Sequence, residues 1–186
     1  GTLYQWIEHR SAHRGELIGI DTGLENLNEL TLVWEAGDLI VIAARPSIGK
    51  TRIAINTAVA ATKATHHVAF FSLEMRRRQL ENRLVASLAQ VDAARIRSGY
   101  LGDADMQRLG VAMSELHNLP LYIDDRSGQT VQEIRLACRR MRSEHGLGLV
   151  IVDYVQLLHG SLDRRGATRN EEITDISRRL KILADE

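Results

Sequence analysis

Leu39–Ala61, LIVIAARPSIGKTRIAINTAVAA, decides the fold. The run Leu39-Ile40-Val41-Ile42-Ala43 is apolar, β-branched and short, so it predicts a strand buried on both faces. A compact segment, Ala44-Arg45-Pro46-Ser47-Ile48-Gly49-Lys50-Thr51, comes next. Ile53, Ala54, Ala58 and Ala61 then recur at helical spacing. Strand, loop closing on Gly-Lys-Thr, helix: this is the order of a phosphate-binding P-loop.

The residue types fit that chemistry. A triphosphate needs convergent backbone N–H groups, which a loop wrapped ahead of a helix N-terminus supplies together with the positive end of the helix dipole. Gly49 allows close approach, Lys50 reaches the β- and γ-phosphates, and the Thr51 hydroxyl ligates Mg²⁺. The segment from Ala44 to Thr51 is therefore the candidate nucleotide-binding element. It departs from the common GxxxxGKT pattern at its first position, where Ala44 replaces glycine.

Outside this stretch the chain reads as one domain. Its 186 residues suffice for a sizeable core, and no apolar run approaches the ~20 residues that span a bilayer. The first residues carry no signal-peptide pattern. Cys138 is the single cysteine, which excludes an internal disulfide and fits a reducing cytoplasm. Net charge is zero, so nothing global marks a nucleic-acid binder. Only Lys50, Lys63 and Lys181 are lysines; the arginine bias suits bidentate phosphate contacts, and equally a GC-rich genome.

Residues 2–14 predict a short amphipathic helix with Leu3, Trp6 and Ile7 on one side, a linker ending near Gly15. The rest, 16–186, reads as the core. Gly19, Asp21, Thr22 and Gly23 make a turn before a leucine-bearing helix, and Glu35-Ala36-Gly37-Asp38 turns into the P-loop strand. His67–Ser72 is a second strand, ending at Leu73-Glu74-Met75. Glu74 there has two readings: it orients or deprotonates a water attacking the γ-phosphate, or it caps the next helix. That helix carries Leu80, Leu84 and Leu88. Residues 91–118 form two helical pieces broken at 98–102, with Met106, Leu109, Met113 and Leu116 as an inward stripe. A third strand spans 119–125. Thr130 and Glu133 then box the start of a helix with Val131, Ile134, Ala137, Cys138 and Met141 inward. LGLVIVDYVQLL (147–158) is the fourth strand, expected to be central and fully buried. Two strand-end carboxylates, Asp124 and Asp153, compete to hold Mg²⁺, and the longer apolar run favours Asp153. Thr168 and Glu171 cap a last helix with Ile173, Ile176, Leu180 and Leu183. The regular alternation calls for a further strand, so the sequence reads as a truncated core.

Three stretches together, AARPSIGKT (43–51), FFSLEM (70–75) and VDYVQLL (152–158), resemble the C-terminal domain of DnaB-type replicative helicases, a RecA-like motor of bacteria and phages. TGLENLNEL, LYIDD and ISRRLK look familiar in the same order, so the likeness spans nearly the whole chain. That family carries alanine where other P-loops have glycine. The resemblance implies a RecA-like α/β fold with a mostly parallel sheet flanked by helices. It implies ATP and Mg²⁺ as cofactors and ATP hydrolysis coupled to translocation on single-stranded DNA and duplex unwinding. By position, it makes Lys50 and Thr51 nucleotide and Mg²⁺ residues, Glu74 the catalytic carboxylate, Asp153 the second acidic residue and Gln156 a γ-phosphate sensor. The loop 159–169, with Arg164, Arg165, Gly166 and Arg169, falls where the family contacts single-stranded DNA. A homo-hexamer, a primase and a helicase loader are the implied partners, with the arginine finger and a further sensing strand beyond Glu186. Another RecA-like DNA-dependent ATPase, of recombination or clock type, would not be expected to show SLEM and DYVQLL together. A non-catalytic ring subunit would tend to have lost one of Lys50, Thr51, Glu74 or Asp153.

Overall fold

A computed structural model describes residues 3–12, 19–45, 47–158 and 168–186. Its centre is β1, Val68–Ser72, whose VAFFS sequence is buried at every position. β2 (Leu121–Asp124) and β3 (Leu149–Asp153) both pair with it in parallel, giving the order β2-β1-β3. Parallel strands need crossovers, and helices supply them. α4 (Arg77–Ala89), α5 (Ala93–Ser98) and α6 (Asp103–Asn118) join β1 to β2, and α7 (Val131–His145) joins β2 to β3. α1 (Leu3–Ala12), α2 (Glu25–Thr31) and α3 (Lys50–Lys63) precede the sheet, and α8 (Arg169–Ala184) follows it.

Alternation along β1 builds two cores, one on each face of the sheet. Val68 and Phe70 point to one side, against Ile55, Ala58 and Ala61 of α3 and Leu80 and Leu84 of α4. Ala69 and Phe71 point to the other, against Ile134 and Cys138 of α7 and Ile176 and Leu180 of α8. Each fully buried phenylalanine contributes about 1.5–3 kcal/mol of transfer free energy. A third, smaller cluster (Ala89, Val91, Leu109, Ala112) seats α6 against the end of α4. The expected boxes at α7 and α8 form: Thr130 Oγ1 accepts from the Glu133 amide at 3.3 Å, and Thr168 Oγ1 from the Glu171 amide at 3.4 Å.

Several sequence expectations need correction. Leu39–Ala43 is neither a strand nor buried: Leu39, Ile40 and Ile42 are 37–39% exposed and Val41 75%. No described strand pairs with it, and an apolar run without a ladder neighbour cannot be a buried strand. It forms one wall of an apolar cleft of about 990 Å³ whose opposite wall is Leu149–Asp153 of β3. β3 is accordingly an edge of the described sheet, half-buried over residues 149–152, and the central strand is β1. On α6 the inward residues are Asp105, Leu109 and Ala112. Met106 and Met113 are each one position past an inward residue, rotated by about 100°, and are 58% and 62% exposed. α4 begins at Arg77, because residues 73–75 make a turn closed by Ser72 Oγ donating to the Met75 carbonyl at 2.8 Å. α1 is helical over 3–12 with Tyr4 and Ile7 exposed. The linker boundary at residue 15 lies outside the described residues. Among the described residues, no helix is long and apolar enough to cross a membrane.

Candidate nucleotide site

Because all strands are parallel, Ser72, Asp124 and Asp153 end on one edge of the sheet, where open α/β sheets gather their ligands. α3 starts on that edge at Lys50. Gly49 is its N-cap residue at φ +114°, ψ +21°, a backbone region that favours glycine. Ser47 also has positive φ, at 65°, so the loop curls just before the helix. No side chain caps α3, whereas α5, α7 and α8 are capped by Asp92, Thr130 and Thr168. Its first amides are left for an anion, which the dipole also favours. Arg45, Ser47 and Ile48 are exposed, with Ala44 and Gly49 half-buried beside them. Pro46 lies outside the described residues.

Across the site, Thr51 Oγ1 donates to Asp153 Oδ2 at 2.8 Å, joining positions 102 residues apart. Asp153 is 8% exposed at the end of β3, and its backbone carbonyl accepts from the Leu73 amide at 2.8 Å. A hydroxyl beside a buried carboxylate is the oxygen donor set that suits Mg²⁺, which takes few protein ligands and keeps several waters. Asp124 is engaged elsewhere. Its carboxylate accepts from Arg126 Nη2 at 2.6 Å and from Gln129 Nε2 at 2.8 Å, and the Arg126 hydrogen bond holds its pKa below the usual carboxylate range.

The Lys50 ammonium lies 5.4 Å from the centroid of the Tyr154 ring and, among the described residues, forms no ion pair. Glu74 is exposed, one residue past the Leu73 that hydrogen-bonds to Asp153. It does not cap α4, whose N-cap is Arg76, with the Arg76 backbone amide donating to Gln79 Oε1 at 3.3 Å. Gln156 sits in a single 3₁₀ turn, Val155–Leu157, lines the cleft together with Lys50 and Asp153, and is exposed. Of the four residues assigned to DNA, Arg164, Arg165 and Gly166 lie outside the described residues. Arg169 opens α8, where its guanidinium donates to the Gln156 carbonyl and pairs with Glu172. The structure thus brings Lys50, Thr51, Asp153 and Gln156 to one edge and ties Arg169 to Gln156. Sequence reasoning overlooked Tyr154; its one signal was an aromatic ring directly after the strand-end aspartate.

A helix-flanked parallel sheet, with a Gly-Lys-Thr loop opening a helix at the sheet's C-terminal edge, defines a RecA-like P-loop domain. More narrowly, the chain belongs to the DnaB-like helicase C terminal domain family, which it matches over residues 19–186. It is similar to the replicative DNA helicase DnaC of Bacillus subtilis (strain 168), 43% identical over 98% of this chain and 40% of that protein. It is also similar to the replicative DNA helicase DnaB of Geobacillus stearothermophilus, with the same identity and coverage. Among solved structures, one described as an ATPase domain superposes with a TM-score of 0.90 at 30% identity, covering 98% of this chain and 65% of that one. A DnaB-like replicative helicase, solved in a study of its interactions with primase, superposes with a TM-score of 0.89 at 29% identity, covering 98% and 44%. The chain spans about 40% of the length of these curated relatives.

Proposed function

We propose that this chain is the ATP-hydrolysing motor core of a replicative DNA helicase. The observation that carries the reading is the 2.8 Å contact between Thr51 of the P-loop and Asp153 at the end of β3, in a chain of this family. Bound ATP with Mg²⁺ supplies the phosphoryl group that is transferred to water. Residues 44–51 wrap the phosphates with backbone N–H groups, and Lys50 adds a charge-assisted contact to the β- and γ-oxygens. Thr51, through its hydroxyl, and Asp153, through its carboxylate, would hold Mg²⁺, which would offset charge on the phosphates. Glu74, exposed at the sheet edge, accepts the proton of the attacking water. Gln156 senses the γ-phosphate. Its link to Arg169 supports a mechanical connection toward residues 159–169, where Arg164, Arg165, Gly166 and Arg169 contact single-stranded DNA.

In this reading, residues 1–15 form a linker helix and 16–186 belong to an ATPase core that continues past Glu186. A further strand fills the apolar cleft beside Leu39–Ala43. The complete protein works in the cytoplasm as a homo-hexamer that translocates and unwinds DNA, with a primase and a loader as partners. The test is steady-state ATP hydrolysis by the longer protein, with and without single-stranded DNA. Stimulation by DNA that Glu74→Gln abolishes, with nucleotide binding intact, supports the reading. Hydrolysis unaffected by DNA, or by the Glu74→Gln change, contradicts it.

A further inference from the structure

Lys50 and Thr51 open α3, and Asp153 closes β3 with Tyr154 directly after it, so two consecutive residues face two consecutive residues across the site. Thr51 hydrogen-bonds Asp153, and the Lys50 ammonium lies over the ring of half-buried Tyr154. We propose that Tyr154 is a positioning residue for Lys50: its ring holds the ammonium facing the phosphate site without neutralising it, and keeps that contact when nucleotide is bound. The inference rests on the reading of Lys50 as the phosphate-binding lysine.

A lysine side chain free in water must be ordered on binding, which costs conformational entropy that a side chain held in place has already lost. Asp153, the neighbouring carboxylate, would order it but would have to surrender it, because an ion pair made only in the empty site weakens nucleotide binding. The Thr51 hydroxyl already occupies one oxygen of Asp153. An aromatic face attracts the cation through its quadrupole and leaves the charge and its N–H donors available. Lys63 and Lys181 are the contrast: each is paired with a carboxylate, Glu115 at 2.9 Å and Asp185 at 2.8 Å. Such a ring contact corresponds to about a two- to fivefold effect in an equilibrium constant.

Having only three lysines makes the contact directly observable. In the 186-residue chain labelled with ¹³C-lysine, ring current should move the ε-CH₂ signal of Lys50, assigned with Lys50→Arg, upfield of those of Lys63 and Lys181. Tyr154→Phe should retain that position and the parent affinity for Mg²⁺–ATP. Tyr154→Leu, which keeps apolar bulk, should lose the upfield position and weaken Mg²⁺–ATP binding about two- to fivefold. A Lys50 signal that coincides with the other two in the parent chain would overturn the proposal. So would a leucine variant that binds as the parent does, or a phenylalanine variant that fails to rescue. A separate arm tests the underlying reading: if Lys50→Ala binds Mg²⁺–ATP as the parent does, Lys50 is not the phosphate lysine, whatever the ring does.

Discussion

Lys50 reaches the sheet edge from the first position of α3, at the end of a loop whose curl depends on Gly49 at φ +114°. Gly49→Ala would force a side chain into that backbone region although space is open around it, the nearest atom to an added Cβ being Arg52 Cβ at 4.0 Å. The expected cost is therefore conformational, about 1–2 kcal/mol, read as a lowered urea midpoint. An unchanged midpoint would mean that the loop adopts another shape. Asp153→Asn keeps the volume but removes the charge facing Mg²⁺. It should reduce the gain in nucleotide affinity that Mg²⁺ gives by roughly tenfold, an amount set by one charged hydrogen-bond partner. Cys138 offers a residue-scale reading of pH. Burial pushes its thiol up to about 12, against roughly 8.5 in an unfolded chain. Its folded value is raised, so the neutral thiol's contribution to stability is intact below about pH 8.5 and is lost as pH rises toward 12. At pH 8.5 a thiol reagent should label the folded chain at least tenfold more slowly than the urea-unfolded chain. Equal rates would place Cys138 outside the α7 core.

Individual elements were legible where their signal is local. The boxes Thr130–Glu133 and Thr168–Glu171 start helices by hydrogen bonds spanning three residues, which a sequence pattern captures directly. Thr130→Ala should cost about 1 kcal/mol, visible in urea unfolding as a lower midpoint at unchanged slope. The direction of α6 was less legible, because two apolar stripes compete on one helix. Asp105, Leu109 and Ala112 won the inward side, with Asp105 held by Arg108 at 2.6 Å and Arg95 at 2.5 Å. A buried carboxylate pairing with two arginines is a tertiary fact that no periodicity announces. Leu109→Ala should therefore cost about 2–5 kcal/mol, while Met106→Gln should stay within about 0.5 kcal/mol. The reverse ranking would mean that the methionine stripe is the buried one.

At the scale of the whole molecule, strand order was the hidden variable. Val68–Ser72 and Leu147–Leu158 are both apolar runs, and periodicity does not say which one receives a neighbour on each side. β1 does, which is why all five of its residues are buried, whereas residues 149–152 of β3 are only half-buried. Leu39–Ala43 misled for the same reason: its composition fits a central strand, and burial depends on a partner that residues far along the chain must provide. The site was more legible than the sheet. Motif order narrowed the partner of the P-loop hydroxyl to two strand-end carboxylates, Asp124 and Asp153. The hydrogen bond forms with Asp153 across 102 residues, although β3 is an edge strand of the described sheet and not the central one expected. Nucleotide binding at that pairing is what the chain must do to be a motor core, and calorimetric titration of Mg²⁺–ATP into the chain measures it. One site should be seen, and Lys50→Ala should weaken it by roughly 10- to 100-fold, the worth of a hydrogen bond to a charged group. Equal affinity in the parent and the Lys50→Ala chain would contradict the account.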